Sequence, residues 1–136
     1  GLREHPELQA ALDVSWLEGV RLDSREDLLC FQRYMKYFGD TLRDMGEVTV
    51  LTYAKVHSGV AIIDERVARD LAKKEGIQCR GTLGLIAEGV RLGSTSLREA
   101  AGVVDLLLAG GAWLPCDGTG FEGWCRENGV ALAARE

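Results

Sequence analysis

Three carboxylates, Glu47, Asp64 and Glu65, stand where this chain most readily builds chemistry. Asp64 closes the unbroken apolar run Val60-Ala61-Ile62-Ile63, and Glu65 and Arg66 follow it directly. Such a run reads as a strand covered on both faces, as in the middle of a parallel sheet. The spacing from Glu65 to Glu75 then predicts a helix, so Asp64 falls at the carboxyl edge of a strand, where open α/β sheets bind their ligands. Glu47 lies near the start of the helix leading into that strand. A helix preceding a parallel strand runs antiparallel to it, which returns its first turn to the same edge and lets Glu47 meet Asp64. Two carboxylates brought together repel unless they share a cation, and this points to Mg2+ or Mn2+. Each acid also has a plainer use. Asp64 suits the N-cap of its own helix, and Asp44-Met45-Gly46-Glu47 has the spacing of a capping arrangement.

Other groups offer less. Gly81-Thr82-Leu83-Gly84 opens a helix whose free backbone N–H groups could hold a phosphate, yet it lacks the lysine and spacing of a P-loop. Thr82 as an N-cap is the simpler reading. His5 and His57 have no Ser or Cys with acidic support nearby, which leaves nucleophilic triads without a foothold. Cys30, Cys79, Cys116 and Cys125 are scattered without a C-x-x-C pair, so they read as free thiols of a reducing cytoplasm rather than zinc ligands or a disulfide frame.

The elements that must position these groups alternate. Glu7 to Leu12 reads as a short helix, and Trp16 to Leu22, alternating with a period near two, as a strand nearer a sheet edge. Asp23 to Asp27 supplies caps and first-turn acids for a helix through Phe38, with Leu28, Phe31, Met35 and Phe38 as its core stripe. A helix from about Glu47 to His57, with Val48, Leu51 and Ala54 inward, leads through Ser58-Gly59 into the Val60 strand. The helix after Asp64 turns Val67, Ala68, Leu71 and Ala72 inward and stops at Gly76. Ile77 to Arg80 is a second strand, parallel to the first because a whole helix separates them. A helix from Leu83 follows, then one opened by the capping box Ser96-Leu97-Arg98-Glu99. Ala112-Trp113-Leu114 reads as a last short strand. Asp117-Gly118-Thr119-Gly120 is the turn into a final helix, from Phe121 to Asn128. Helix, tight turn, strand, helix is the rhythm of an α/β fold in one domain.

Composition sets the outer limits. The 136 residues suffice for one domain with a real core, and no apolar run approaches the length of a membrane span. Sixteen basic residues against 21 acidic ones leave a net charge of −5, which argues against nonspecific nucleic-acid binding through a broad basic surface. It leaves room for an enzyme that meets nucleic acid through bound cations. The local clusters Arg66, Arg69, Lys73, Lys74 and Arg91, Arg98 read as solvated helix faces. The chain begins at Gly1 rather than Met, in what looks like mid-element, as a piece of a longer protein does.

Taken in order, Gly46-Glu47, then Gly59-Val60-Ala61-Ile62-Ile63-Asp64-Glu65-Arg66-Val67-Ala68, then Cys79-Arg80-Gly81-Thr82-Leu83-Gly84, resembles the second half of PIN domains, and more narrowly the VapC-like toxin group. The resemblance spans about Gly46 to Leu114. It implies a three-layer α/β/α sandwich with a mostly parallel sheet. It also implies a ribonuclease whose acidic cluster holds Mg2+ or Mn2+ and activates water against an RNA phosphodiester. By the match Glu47 and Asp64 are catalytic acids and metal ligands, Glu65 assists, and Arg66, Gly81 and Thr82 lie toward the RNA. A cognate antitoxin is the implied protein partner, and the cytoplasm the implied compartment. PIN domains begin with a strand carrying their first Asp, and nothing before Trp16 resembles it. That strand and its helices are therefore expected upstream of Gly1, and an incomplete sheet with an open edge is expected to favour self-association. Two other functions stand beside this one: a PIN-like binding module that has lost its acids, and a phosphatase-like protein using Asp64 as nucleophile, which lacks the second Asp two residues on.

Overall fold

The computed structural model describes residues 13–132. The helix expected over Glu7 to Leu12, and His5 with it, lie outside the described residues. The chain forms helix α1 (Arg25–Tyr37), a 3-10 turn (Leu42–Asp44), α2 (Met45–Val56), β1 (Val60–Ile62), α3 (Arg66–Glu75), β2 (Gln78–Arg80), α4 (Thr82–Arg91), α5 (Leu97–Ala109) and α6 (Phe121–Glu127). The two strands pair in parallel, Val60 opposite Gln78 and Ile62 opposite Arg80. This is an α/β fold.

One core gathers α1, α2, α3 and the sheet around Tyr34, Val48, Leu51, Ala61, Ile63, Ala68 and Leu71. A second gathers α4, α5 and α6 around Leu83, Ala87, Val104, Phe121 and Cys125. The Val60 run is not covered on both faces. Ala61 and Ile63 are buried in the first core, but Val60 and Ile62, pointing the other way, are 47% and 38% exposed. Successive strand side chains alternate between faces, and among the described residues helices line only one.

Helix faces are rotated slightly from expectation. Ser24 and Asp27 close a capping box on α1, and the Tyr34 hydroxyl donates to Glu75 Oε2 at 3.1 Å. Together these turn Asp27, Cys30 and Tyr34 inward. Leu28 is therefore exposed, while Phe31, Met35 and Phe38 pack at the core's margin. On α3, Ala68, Leu71 and Ala72 are inward as expected, and Val67 is exposed. Gly76 ends that helix at φ 67°, a left-handed conformation that glycine adopts without strain.

Neither Trp16 to Leu22 nor Ala112 to Leu114 forms a strand. Alternation supplies a face but no neighbour, and a strand without a pairing partner leaves its backbone to water. Among the described residues no helix is long and apolar enough to cross a membrane.

Candidate active site

Asp64 leaves the end of β1 and reaches across to α4. Its Oδ1 accepts the backbone N–H of Thr82 at 2.8 Å, and its Oδ2 accepts the Thr82 hydroxyl at 2.5 Å. Thr82 is the first residue of α4, and the N-cap position is Gly81, which has no side chain to offer. Asp64 thus caps a helix that starts 18 residues later, its negative charge set against the positive end of that helix. Gly81 makes the approach possible. A Cβ there would stand 2.7 Å from Asp64 Oδ1.

The expected caps are therefore reassigned. Thr82 is not the N-cap of α4, and Asp64 does not cap its own helix. Glu65 caps α3, its Oε2 accepting the Ala68 N–H at 2.7 Å. Adjacent carboxylates could both fill that post. Because Glu65 takes it, Asp64 is released toward α4.

Glu47 sits half-buried in the first turn of α2. The capping pair expected with Asp44 does not form, since Asp44 accepts the Thr41 hydroxyl and caps nothing with its side chain. Among the described residues Glu47 makes no hydrogen bond or ion pair. Helix α2 passes into β1 through Ser58, at φ 56°, and Gly59, whose N–H returns to the Ala54 carbonyl at 2.9 Å. So tight a return sends the helix back along the strand, with its Glu47 end toward the carboxyl end of β1. The structure joins Asp64, Gly81 and Thr82 directly and leaves Glu47 unbonded to them. Among the described residues no three His, Cys, Asp or Glu side chains gather closely enough to hold a metal ion.

Around Asp64 the surface is hollowed. A cavity of about 630 Å³ is lined by Asp64, Arg69, Cys79, Arg80, Gly81 and Trp113, among others. An adjoining hollow joins Asp64 to Arg66, Arg69, Lys73 and Trp113, and a third joins it to Glu65, Thr82 and Trp113. Two of the cavity's arginines are partly spoken for. Glu88 pairs with Arg91 at 2.7 Å and Arg80 at 3.5 Å. The bond from Arg91, above all, pulls the Glu88 carboxyl down to about 2. Arg69 has no ion pair among the described residues.

Burial pushes the Cys79 thiol up, with Asp64 adding to the rise against Arg69, so it stays protonated at neutral pH and is a poor metal ligand. What remains at this edge is carboxylate oxygen. That donor set fits a hard cation such as Mg2+ or Mn2+, and Mg2+ is commonly held by one or two carboxylates with water and substrate phosphate completing the shell.

Of the residues singled out in the sequence, the structure brings Asp64, Gly81 and Thr82 together, and Arg66 lines a hollow with Asp64. Sequence reasoning passed over Arg69, read as a solvated face, and Trp113, read as strand. Arg69 carried one signal, lying on the helix that follows Asp64. Trp113 carried none, being 49 positions away.

A parallel strand–helix–strand unit with an aspartate at the carboxyl edge, tied to the next helix through Gly-Thr, defines a class of α/β domain. The sequence model of the PIN domain family matches residues 3–118, and the chain belongs to that family. No curated protein and no solved structure matches it.

Proposed function

We propose that the protein is a metal-dependent endoribonuclease of the VapC toxin type, with Asp64 as its central acid. The observation that carries this is Asp64 itself, ionisable and exposed, fixed through both oxygens to Thr82 at the mouth of a cavity bearing arginines. Two hydrogen bonds leave its oxygens with further lone pairs for a cation. Glu47, half-buried without a partner at the start of α2, is the second ligand, and Glu65, whose other oxygen is uncommitted by its cap, assists. A divalent cation held there supplies a water of lowered pKa and offsets charge developing on the phosphate. The chain's own part is positioning. Thr82 holds the Asp64 carboxylate in one rotamer, Gly81 opens the space it needs, and Arg66 draws the RNA backbone toward that edge.

The test is RNA cleavage with Mn2+ by the Asp64→Asn variant. Asn keeps an oxygen to accept from Thr82 but loses the charge, so the fold is retained and cleavage falls by at least about 100-fold. Unchanged cleavage with an unchanged circular-dichroism spectrum overturns the assignment. By the same reading the protein works in the cytoplasm and is held inactive by a cognate antitoxin. Self-association through the open side of the sheet is a further expectation, which size-exclusion behaviour checks.

One observation favours a second reading, a PIN-like module that binds without cleaving: among the described residues no three His, Cys, Asp or Glu side chains gather closely enough to hold a metal ion. Binding of RNA without Mn2+-dependent cleavage by the wild-type chain selects it.

A further inference from the structure

Trp113 is the most conspicuous residue that the proposed chemistry does not use. Its backbone is fixed on both sides. The Gly111 and Ala112 N–H groups return to the Leu108 and Leu107 carbonyls at 3.0 Å, Leu114 packs into the second core, and Pro115 restrains Leu114. A side chain on so firmly held a segment would bury itself easily, yet the indole is 84% exposed. Large aromatics gain by leaving water, and one held out at the rim of a cavity bearing charged side chains is placed for a flat ligand. Asp64 and Trp113 line all three adjoining hollows together.

Arg69 is a cationic group at the same edge. It lines two of those hollows, and its Nη1 stands 3.6 Å from where a Gly81 Cβ would be, at the corner that Asp64 occupies. Unlike Arg80 and Arg91, which share Glu88, it has no ion pair among the described residues. A free guanidinium for a phosphate and a presented ring for a base are the two parts of a single-strand binding platform. In a chain of net charge −5 such a pairing beside an acid is local, not a by-product of a basic surface.

We infer that Trp113 and Arg69 bind single-stranded RNA beside Asp64, with Trp113 stacking on a nucleobase and Arg69 holding a flanking phosphate. This rests on the reading of RNA as the substrate, and it adds two binding residues to the acids proposed above. A duplex keeps its base faces covered and cannot use the ring.

The experiment measures binding in EDTA, where cleavage does not intervene. The full chain is titrated with a single-stranded oligoribonucleotide of about eight nucleotides, followed by tryptophan fluorescence and by anisotropy of a label on the RNA. Trp113→Ala is expected to weaken binding roughly tenfold and remove most of the fluorescence response, and Trp113→Phe to keep affinity within about threefold. An oligomer of the same length with abasic sites should bind the wild-type chain as weakly as intact RNA binds Trp113→Ala. Arg69→Ala should weaken binding and flatten the salt dependence by about 0.7 in logarithmic slope. Equal affinity of Trp113→Ala and wild type, tight binding of the abasic oligomer, a duplex bound as well as the single strand, or no binding at all overturns the inference. Asp64→Asn separates the two proposals. Retained binding with lost cleavage supports both, whereas retained binding by a wild-type chain that never cleaves removes the ribonuclease and keeps the platform.

Discussion

Asp64 and Asp105 perform the same structural task in different halves of the molecule. Each is exposed, and each accepts the backbone N–H of a residue at the mouth of a helix or turn, Thr82 at 2.8 Å for one and Gly118 at 2.8 Å for the other. Each tie needs a glycine beside it, since a Cβ at Gly81 would meet Asp64 Oδ1 at 2.7 Å and one at Gly118 would meet Asp105 Oδ2 at 2.6 Å. What differs is the surroundings. Asp64 opens onto a cavity with Arg69, Arg80 and Trp113, while Asp105 ties the Asp117–Gly120 turn to α5. A carboxylate bonded to backbone amides is therefore no mark of catalysis by itself. The groups gathered around it are what separate a site from a joint.

The largest expected effect breaks the comparison outright. Asp64→Asn removes RNA cleavage, by at least about 100-fold, while Asp105→Asn leaves cleavage within about twofold of wild type. Both variants keep an acceptor oxygen for the amide, so both should fold, and melting temperatures check this. If Asp105→Asn lost activity as fully as Asp64→Asn, the distinction drawn from the surroundings would be wrong.

The glycines reverse the order of damage. At Gly118 an added methyl meets the Ala101 carbonyl at 2.5 Å, which is helix backbone and cannot yield, so Gly118→Ala should cost about 1–3 kcal/mol of stability. At Gly81 the nearest atom is the tip of a side chain. Gly81→Ala should cost less stability, yet by displacing the Asp64 carboxylate it should lower cleavage about tenfold or more. Denaturant melts and single-turnover cleavage on the same two proteins give both numbers. Thr82→Val then isolates the hydroxyl from the amide, and a several-fold loss of cleavage with little loss of stability is expected.

The comparison also explains what could be read in advance. The α/β rhythm was legible because an apolar run, a helical stripe and a terminal glycine are local signals, and the parallel pairing followed from the helix between the strands. The position of Asp64 was legible for the same reason. Which of Asp64 and Glu65 caps α3 was not, because both suit the post, and Glu65 takes it while Asp64 bonds Thr82. Leu28 and Val67 lie outside cores whose orientation is set by distant bonds such as Tyr34 to Glu75. Trp16 to Leu22 alternates as a strand does and pairs with no strand among the described residues. Arg69 and Trp113 become neighbours of Asp64 only in three dimensions.

A third aspartate carries the comparison into the core, with the smallest effect on activity. Asp27 is buried in the first turn of α1, accepting from the Ser24 hydroxyl at 2.7 Å and facing His57 Nε2 at 3.0 Å, while Tyr53 stacks on the His57 ring. The Ser24 hydroxyl above all, then the Ser24 backbone and His57, hold its carboxyl below the ordinary value of 3.8, against burial, which raises it. A carboxyl lowered on folding adds stability that is fully present above its unfolded value and is lost as pH falls through the folded one. Thermal melts should thus be flat in this contribution at neutral pH and fall below about pH 4. Ser24→Ala removes the larger influence, so it should lower the neutral-pH melting temperature and shrink the acid drop. His57→Ala should do both to a smaller degree. Cleavage by either variant at neutral pH should match wild type, because neither residue lines the hollows around Asp64. An acid drop that grows in Ser24→Ala would mean that Asp27 is held by something other than its cap.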